Sequence, residues 1–285
     1  MIRFVIAENL DHALEVLAQG DVEVIAGGTD LMIHLRELRL SGGKAPDTIL
    51  DLSRLDELKR LEPNAGQPYV GAGVTFRELE TNSKVGQHLP LLAQAAATVG
   101  SVQVRQTATI GGNVANASPA ADGMTALTAL GAQAEIASKE GTRWCPLEEL
   151  ITAPNKTTLR SQELIVGFQL DKLPADGQMF AKVGRRQAVS VARLNLAICL
   201  DHTMDDPRAV LGACFPSPRR LKDVEKVIQQ GEPGDELWWA AGHQAAQHFT
   251  DVCGWRSSAT YKVPAVTRVF ARTLGQVWTS LAGAS

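Results

Sequence analysis

Two pairs of adjacent glycines constrain this chain more than any other feature. Val24-Ile25-Ala26-Gly27-Gly28-Thr29-Asp30-Leu31 and Thr109-Ile110-Gly111-Gly112-Asn113 each join a glycine doublet to a hydroxyl residue and a short polar side chain. Adjacent glycines let the backbone take positive φ and let a ligand approach main-chain N–H groups that a Cβ would shield. Successive N–H groups in such a turn form an anion nest, and a helix starting just after it adds its N-terminal dipole. One such turn says little. Two of them, roughly eighty residues apart, point to one elongated phosphorylated ligand gripped from two sides.

The rest of the composition excludes more than it suggests. A chain of 285 residues has room for one large or two medium domains. The formal net charge is −3 with no dense Lys/Arg run, which gives a nucleic-acid or anionic-membrane partner no electrostatic support. No apolar run approaches the roughly 20 residues of a membrane span. The opening Met1-Ile2-Arg3-Phe4-Val5-Ile6-Ala7 lacks a signal-peptide core and meets Glu8 at once, so a cytoplasmic protein is expected. Cys145, Cys199, Cys214 and Cys253 lie too far apart for a C-x-x-C pair, a zinc knuckle or a cluster-ligand run. The histidines are equally dispersed, and no metal site is expected.

In chain order, Arg3–Ile6 is strand-like, Asn9 caps a helix with Leu10, Leu14 and Leu17 on one face, and Gly20 stops it. Val22–Ile25 is a strand running into the first glycine turn. Leu31–Leu38 follows as a helix with Thr29 or Asp30 at its cap. Thr48–Leu52 is a second parallel strand, completing a small αβαβ unit. A different texture begins near residue 56: a strand at Tyr69–Gly73, a capping box at Thr75–Glu78, and a helix opened by Pro90. The second glycine turn precedes a small-residue helix over Met124–Leu130, and strands return at Ala134–Ala137 and Glu163–Phe168. Leu173–Gln178 is the best linker candidate. Beyond it, three strands (179–183, 194–200 and 209–214) are followed by helices at about 219–230, 235–249 and 264–282, the order of elements of a second α+β domain.

The two glycine stretches, the second read as far as Asp122 through Val114-Ala115-Asn116-Ala117-Ser118-Pro119-Ala120-Ala121, resemble the FAD-binding signatures of the flavoprotein subunits of molybdenum hydroxylases. That family includes bacterial xanthine dehydrogenases and the medium subunit of carbon monoxide dehydrogenase. Lys182-Val183-Gly184-Arg185-Arg186-Gln187-Ala188 resembles the opening of the family's C-terminal domain, and Gly254–Lys262 resembles its late Arg-x-Ser segment. The likeness spans essentially the whole chain.

The resemblance implies an α+β fold with a two-subdomain FAD-binding domain of PCMH type at 1–174, divided near residue 55. A C-terminal domain with an antiparallel sheet and helices would follow at 178–285. FAD would lie between the subdomains. Val24 to Leu31 would bind the cofactor, Ile25 to Leu31 wrapping the pyrophosphate through N–H groups and the Thr29 hydroxyl, and Thr109 to Asn113 would close from the other side. By the same likeness Asp122 would contact the adenosine half or its ribose, while Val99, Ile165 and Lys182 would lie near the isoalloxazine. Simpler roles stand beside these: a helix cap for Asp30 or Asp122, a solvated strand lysine for Lys182, and local backbone bonds for Asn113 and Asn116.

No catalytic acid–base pair and no cluster cysteines accompany the motifs. The implied role is an electron-transfer subunit of an oxidoreductase. A large molybdopterin subunit and a small [2Fe–2S] subunit would be its partners, and NAD⁺, a quinone or another acceptor would take the electrons. The alternatives are a stand-alone FAD-dependent oxidase, which calls for a substrate cavity with a base, and a scaffold that has lost FAD. The intact glycines and Asn113 argue against the scaffold.

Overall fold

Asn9 starts the first helix, its side chain accepting the His12 backbone N–H at 2.8 Å, and thereby turns the chain back over the strand just completed. This computed structural model describes residues 2–186 and 189–283. Strands β1 (Arg3–Ile6), β2 (Val22–Ile25) and β3 (Thr48–Asp51) form a parallel sheet in the order β1-β3-β2. Parallel neighbours need crossovers, and α1 (Leu10–Leu17) and α2 (Leu31–Ser41) supply them. Helix α1 buries Ala13, Leu14, Val16 and Leu17 beside Leu50 of the central strand, in a cluster that also holds Ala137 and Leu164 of the next unit. Helix α2 buries no residue. Ile6 and Ile25 both stand opposite Asp51, so the first glycine stretch leaves the sheet at the carboxyl ends of its strands, where open α/β sheets bind ligands.

After a 3₁₀ turn at Asp56–Lys59 come β4 (Leu61–Glu62) and β5 (Tyr69–Gly71). Six helices follow: α3 (Phe76–Thr81), α4 (Ser83–His88), α5 (Pro90–Ala97), α6 (Val102–Thr107), α7 (Ile110–Asn116) and α8 (Asp122–Ala129). Then come β6 (Gln133–Ser138), β7 (Gly141–Pro146), α9 (Leu147–Leu150), the short pair β8 (Ile151–Ala153) and β9 (Lys156–Thr157), and β10 (Leu164–Gln169). An antiparallel sheet in the order β4-β5-β10-β6-β7 backs the helices. The expected capping box is complete: Thr75 accepts from the Glu78 N–H, and Glu78 accepts from the Thr75 N–H at 2.7 Å. Every residue of α8 is buried, because its small side chains let it lie flat between that sheet's helices and the next sheet.

That next sheet is β11 (Gln178–Gly184), β12 (Ala192–Cys199), β13 (Arg208–Gly212) and β14 (Arg219–Arg220), in sequential order. Helices α10 (Lys222–Gln230), α11 (Asp235–Cys253) and α12 (Ala259–Gly283) cover one face. The other face sends Phe180, Ala197, Cys199 and Val210 into the core shared with α5 and α8. The segment expected to be a linker is therefore pinned. Gln178 is buried and donates to the Leu173 and Pro174 carbonyls at 3.2 and 3.1 Å.

Helix α12 begins five residues before the expected start at Pro264. Pro264 therefore lies inside the helix, where it gives up its own N–H and its ring crowds the carbonyl four residues before it. The turn ahead of it is held by Ala259 N–H donating to Arg256 and Lys262 N–H donating to Ser258, both at 2.8 Å. Gln187 and Ala188 of the Lys182–Ala188 stretch lie outside the described residues.

The α11–α12 seam rests on Gly242, where a Cβ would overlap the Thr267 carbonyl. Helix propensity favours alanine there by about 1 kcal/mol, but overpacking against backbone costs about 1–3 kcal/mol. Gly242→Ala is therefore expected to lower the denaturant midpoint of unfolding. A midpoint at or above wild type would show that the helices separate freely.

Candidate functional site

The first glycine stretch presents an unbroken row of backbone donors. Among the described residues, none of the N–H groups of Ala26, Gly27, Gly28, Thr29, Asp30 and Leu31 donates to a protein acceptor. Neither the Thr29 hydroxyl nor the Asp30 carboxylate has a protein partner there either. The Asp30 side chain occupies the N-cap position of α2 without making the capping bond that was one of its expected roles. Gly28 has φ +67°, the left-handed turn for which a glycine is needed. Val24 and Ile25 stay in the β2 ladder, opposite Leu50 and Asp51, and position the turn rather than line it. Open amides, the amino end of α2 and a positive-φ glycine together suit an anion.

The second stretch is built differently. It is the first turn of α7, capped by Thr109, whose hydroxyl oxygen accepts the Gly112 N–H at 3.1 Å. The Ile110 N–H donates to Val74 at 3.0 Å, Gly111 to Ala72 at 2.8 Å and Asn113 to Thr109 at 3.0 Å. The expectation of a second nest of free amides is thus corrected: a β-bridge between Thr75 and Thr109 brings these carbonyls up to the helix start. Neither Gly111 nor Gly112 has positive φ. Gly111 is a packing glycine, since a Cβ would lie 2.6 Å from that of Ala72, whereas at Gly112 it would meet only the Thr109 hydroxyl at 3.0 Å. The free polar atom here is a side chain: Asn113 Oδ1 is buried with no hydrogen-bond partner.

The two stretches touch. A Cβ on Gly27 would overlap the Thr107 carbonyl and lie 2.9 Å from the Ala108 Cα, so the open turn is seated directly on the lead-in to Thr109.

Asp122 and Lys182 form one buried ion pair, Nζ to Oδ2 2.5 Å. Asn195 Nδ2 donates to the other Asp122 oxygen at 2.8 Å, Thr98 Oγ1 donates to Oδ2 at 3.2 Å, and Lys182 also donates to the Thr98 carbonyl at 2.9 Å. Thr125 donates its hydroxyl to Asn195 Oδ1 at 3.0 Å. Burial pushes the Asp122 carboxyl above the usual carboxylate range, and the Lys182 charge with the Asn195 and Thr98 hydrogen bonds pulls it back. Two side chains in direct contact cannot serve opposite ends of an elongated ligand, so the assignment of Asp122 to the adenosine end and Lys182 to the isoalloxazine end is corrected. They act at one place. Nor does Asp122 cap α8: the cap position is Ala121.

Val99 sits beside this cluster, half-buried, its carbonyl accepting from Arg105 Nη1 at 3.1 Å. Ile165 is a core residue opposite Ile136, one position before Val166, whose carbonyl accepts the Ala72 N–H at 2.8 Å. Sequence reasoning missed Arg105, which grips Glu80 through two hydrogen bonds of 2.9 and 3.1 Å and holds the Val99–Gly100 turn. It also missed Asn195. A lone arginine and a lone strand asparagine carry no local signal.

Comparison with known proteins shows the family and the fold. Residues 1–172 match the family model of the FAD binding domain in molybdopterin dehydrogenase. The 6-hydroxypseudooxynicotine dehydrogenase complex subunit alpha of Paenarthrobacter nicotinovorans is 30% identical over 96% of this chain and 93% of its own length. The xanthine dehydrogenase FAD-binding subunit of Escherichia coli O157:H7 is 27% identical over 97% and 96%. In fold, the chain superposes with a TM-score of 0.87, at 23% identity and 98% coverage of both chains, on a structure of carbon monoxide dehydrogenase from Hydrogenophaga pseudoflava.

Lys182→Met would leave Asp122 buried beside neutral donors alone, a loss of about 3–5 kcal/mol. With the ammonium gone, burial acts unopposed by charge and raises the folded-state pKa further, so the folded protein binds the proton more tightly than the unfolded chain. The variant's stability should then fall as pH rises from about 4 through the raised value, with the deficit smallest in acid. Urea midpoints measured across that range check this; a deficit independent of pH would mean that Asp122 does not feel the lysine.

Proposed function

The chain belongs to the family of FAD-binding domains in molybdopterin dehydrogenases, and on that premise we propose that it is the electron-transfer subunit of a multi-subunit molybdenum hydroxylase. Its FAD would lie across the contact between the two glycine stretches. The observation that carries this is the run of six backbone N–H groups, Ala26 to Leu31, without protein acceptors among the described residues. The residues present fit the cofactor. The open amides and the amino end of α2 suit a pyrophosphate. The orphaned Asn113 Oδ1 awaits a donor, and the bare face of Gly112 leaves room beside it.

In this reading Ala26 to Leu31, with the Thr29 hydroxyl, hold the phosphates, and Val24 and Ile25 anchor that turn in the sheet. Thr109, which spends one lone pair on the Gly112 N–H, keeps its hydroxyl proton for the ligand. Ile110 and Gly111 set the register of α7 against Ala72 and Val74. Asp122 and Lys182 act as one neutralised pair that holds α8 against β11, with Val99 and Ile165 forming apolar wall nearby. Residues 1–174 would make the cofactor domain and 178–285 the C-terminal domain, whose sheet the pair locks in place.

When bound, FAD accepts electrons singly and releases them singly or in pairs, which links one-electron and two-electron partners. Relatives are named as subunits or medium chains of dehydrogenases, which supports a large molybdopterin subunit and a small [2Fe–2S] subunit as partners. NAD⁺ or a quinone would be the acceptor.

Because Gly112 needs no positive φ, Gly112→Val should fold in the absence of cofactor, with a helix-propensity change of no more than about 1 kcal/mol. Its branched side chain should nevertheless abolish the flavin absorbance near about 450 nm that the wild-type chain shows with FAD. Normal flavin content in the folded variant would remove the phosphate site from this face of α7. NADH bleaching of the wild-type bands supports NAD⁺ as acceptor, and bleaching by dithionite alone shifts the choice to a quinone or a protein.

A further inference from the structure

The seam between α11 and α12 opens on the outer face of the C-terminal domain as a groove of about 500 Å³. Its lining joins three kinds of chemistry. Arg268 and Arg272, one helical turn apart on α12, are both exposed, and among the described residues neither has a hydrogen-bond or ion-pair partner. Helix α12 has no Asp or Glu in its 25 residues, so nothing on it neutralises them. Across the groove, Trp239 is 47% exposed, with its ring 6.2 Å from that of His243. Gly275 forms part of the floor, where even a methyl group would lie 3.3 Å from the Trp238 ring. The Trp238 indole N–H is left without a protein acceptor among the described residues.

Two guanidinium groups at (i, i+4) match the oxygens of a phosphate group. A half-exposed indole offers a stacking face to a planar base. The volume lies within the range of small-ligand sites. Asp235, which also lines the groove and is free of ion pairs among the described residues, supplies an acceptor for hydroxyl or amino groups. We propose that this groove binds a nucleoside phosphate, its base on Trp239 and its phosphates on Arg268 and Arg272. It is a second nucleotide site, separated from the glycine stretches by the β11–β14 sheet. The inference stands on the C-terminal domain alone and does not depend on the cofactor reading.

The test is calorimetric titration of ADP into protein preloaded with FAD, so that the glycine stretches are not available to it. One equivalent per chain should bind with a dissociation constant below about 1 mM. R268E/R272E should weaken binding at least about tenfold while FAD content and melting temperature stay unchanged. The neutral pair R268Q/R272Q, milder to the fold, should weaken it in the same direction. Trp239→Ala should weaken ADP but not inorganic tripolyphosphate. The proposal is overturned by silence at about 1 mM ADP, by binding that survives R268E/R272E, by ADP binding only to FAD-free protein, or by tripolyphosphate binding as tightly as ADP.

Discussion

The Thr107 carbonyl lies where a side chain on residue 27 would be, and much of the site depends on that contact. It can form only because Gly27 has no Cβ. It seats a turn from the parallel sheet on a turn from the helical unit, two pieces with separate hydrogen-bond networks. On one side, Leu52 donates to the Ile25 carbonyl at 2.9 Å and closes the sheet below the turn. On the other, the Phe76 N–H donates to Ala108 and the Ile110 N–H to Val74, both at 3.0 Å. The first network ends at the contact, whereas the second continues past it through Gly111, Gly112 and Asn113. The amides of Ala26 to Leu31 donate to neither network. A backbone row that the fold satisfies from neither side must be satisfied by solvent or by a ligand.

The buried pair Asp122–Lys182 plays the matching part at the other boundary. Desolvating two charges costs several kcal/mol per ion, and Coulomb attraction offsets this only when the remaining donors and acceptors are also filled. Here Asn195, Thr98 and the Thr98 carbonyl fill them. Gly212 leaves the space that Asn195 and Thr125 occupy. A network with every member engaged specifies one docking of β11 and β12 on α8, where an apolar interface would tolerate sliding. The β11–β14 sheet is in this sense part of the frame behind α8.

How much of this could be read from the sequence follows from how local each interaction is. Strand, glycine turn and helix at residues 22–38 are legible because three or four neighbouring residues decide each of them. The capping box at Thr75 and the Pro90 helix start are legible for the same reason. Residues 109–113 are recognisable, but their conformation is not: glycines are poor helix formers, and the carbonyls of Ala72 and Val74 that tie up the first turn lie far away in the chain. Asp122 and Lys182 are separated by 60 positions and Arg105 from Glu80 by 25, so no periodicity links them. The early start of α12 was hidden because Pro264 suits the first turn of a helix equally well.

Helix α2 shows what leaving the amides open costs the fold. It buries no residue, and an 11-residue helix is marginal in water by itself. Its carboxyl end is secured by Gly42 at φ +71°, with the Gly43 N–H donating to Leu38 at 2.8 Å. Its amino end has no side-chain cap. The element that carries the open donors is thus one whose side chains add no buried contact, and its uncapped end lies at those donors. Whatever free energy an anion gains from those amides also stabilises the helix that carries them, since binding to the ordered form alone draws the equilibrium toward it. An Asp30 that capped α2 by itself would give a firmer helix with one fewer open donor. The bare N-terminus is therefore consistent with a helix completed by its ligand.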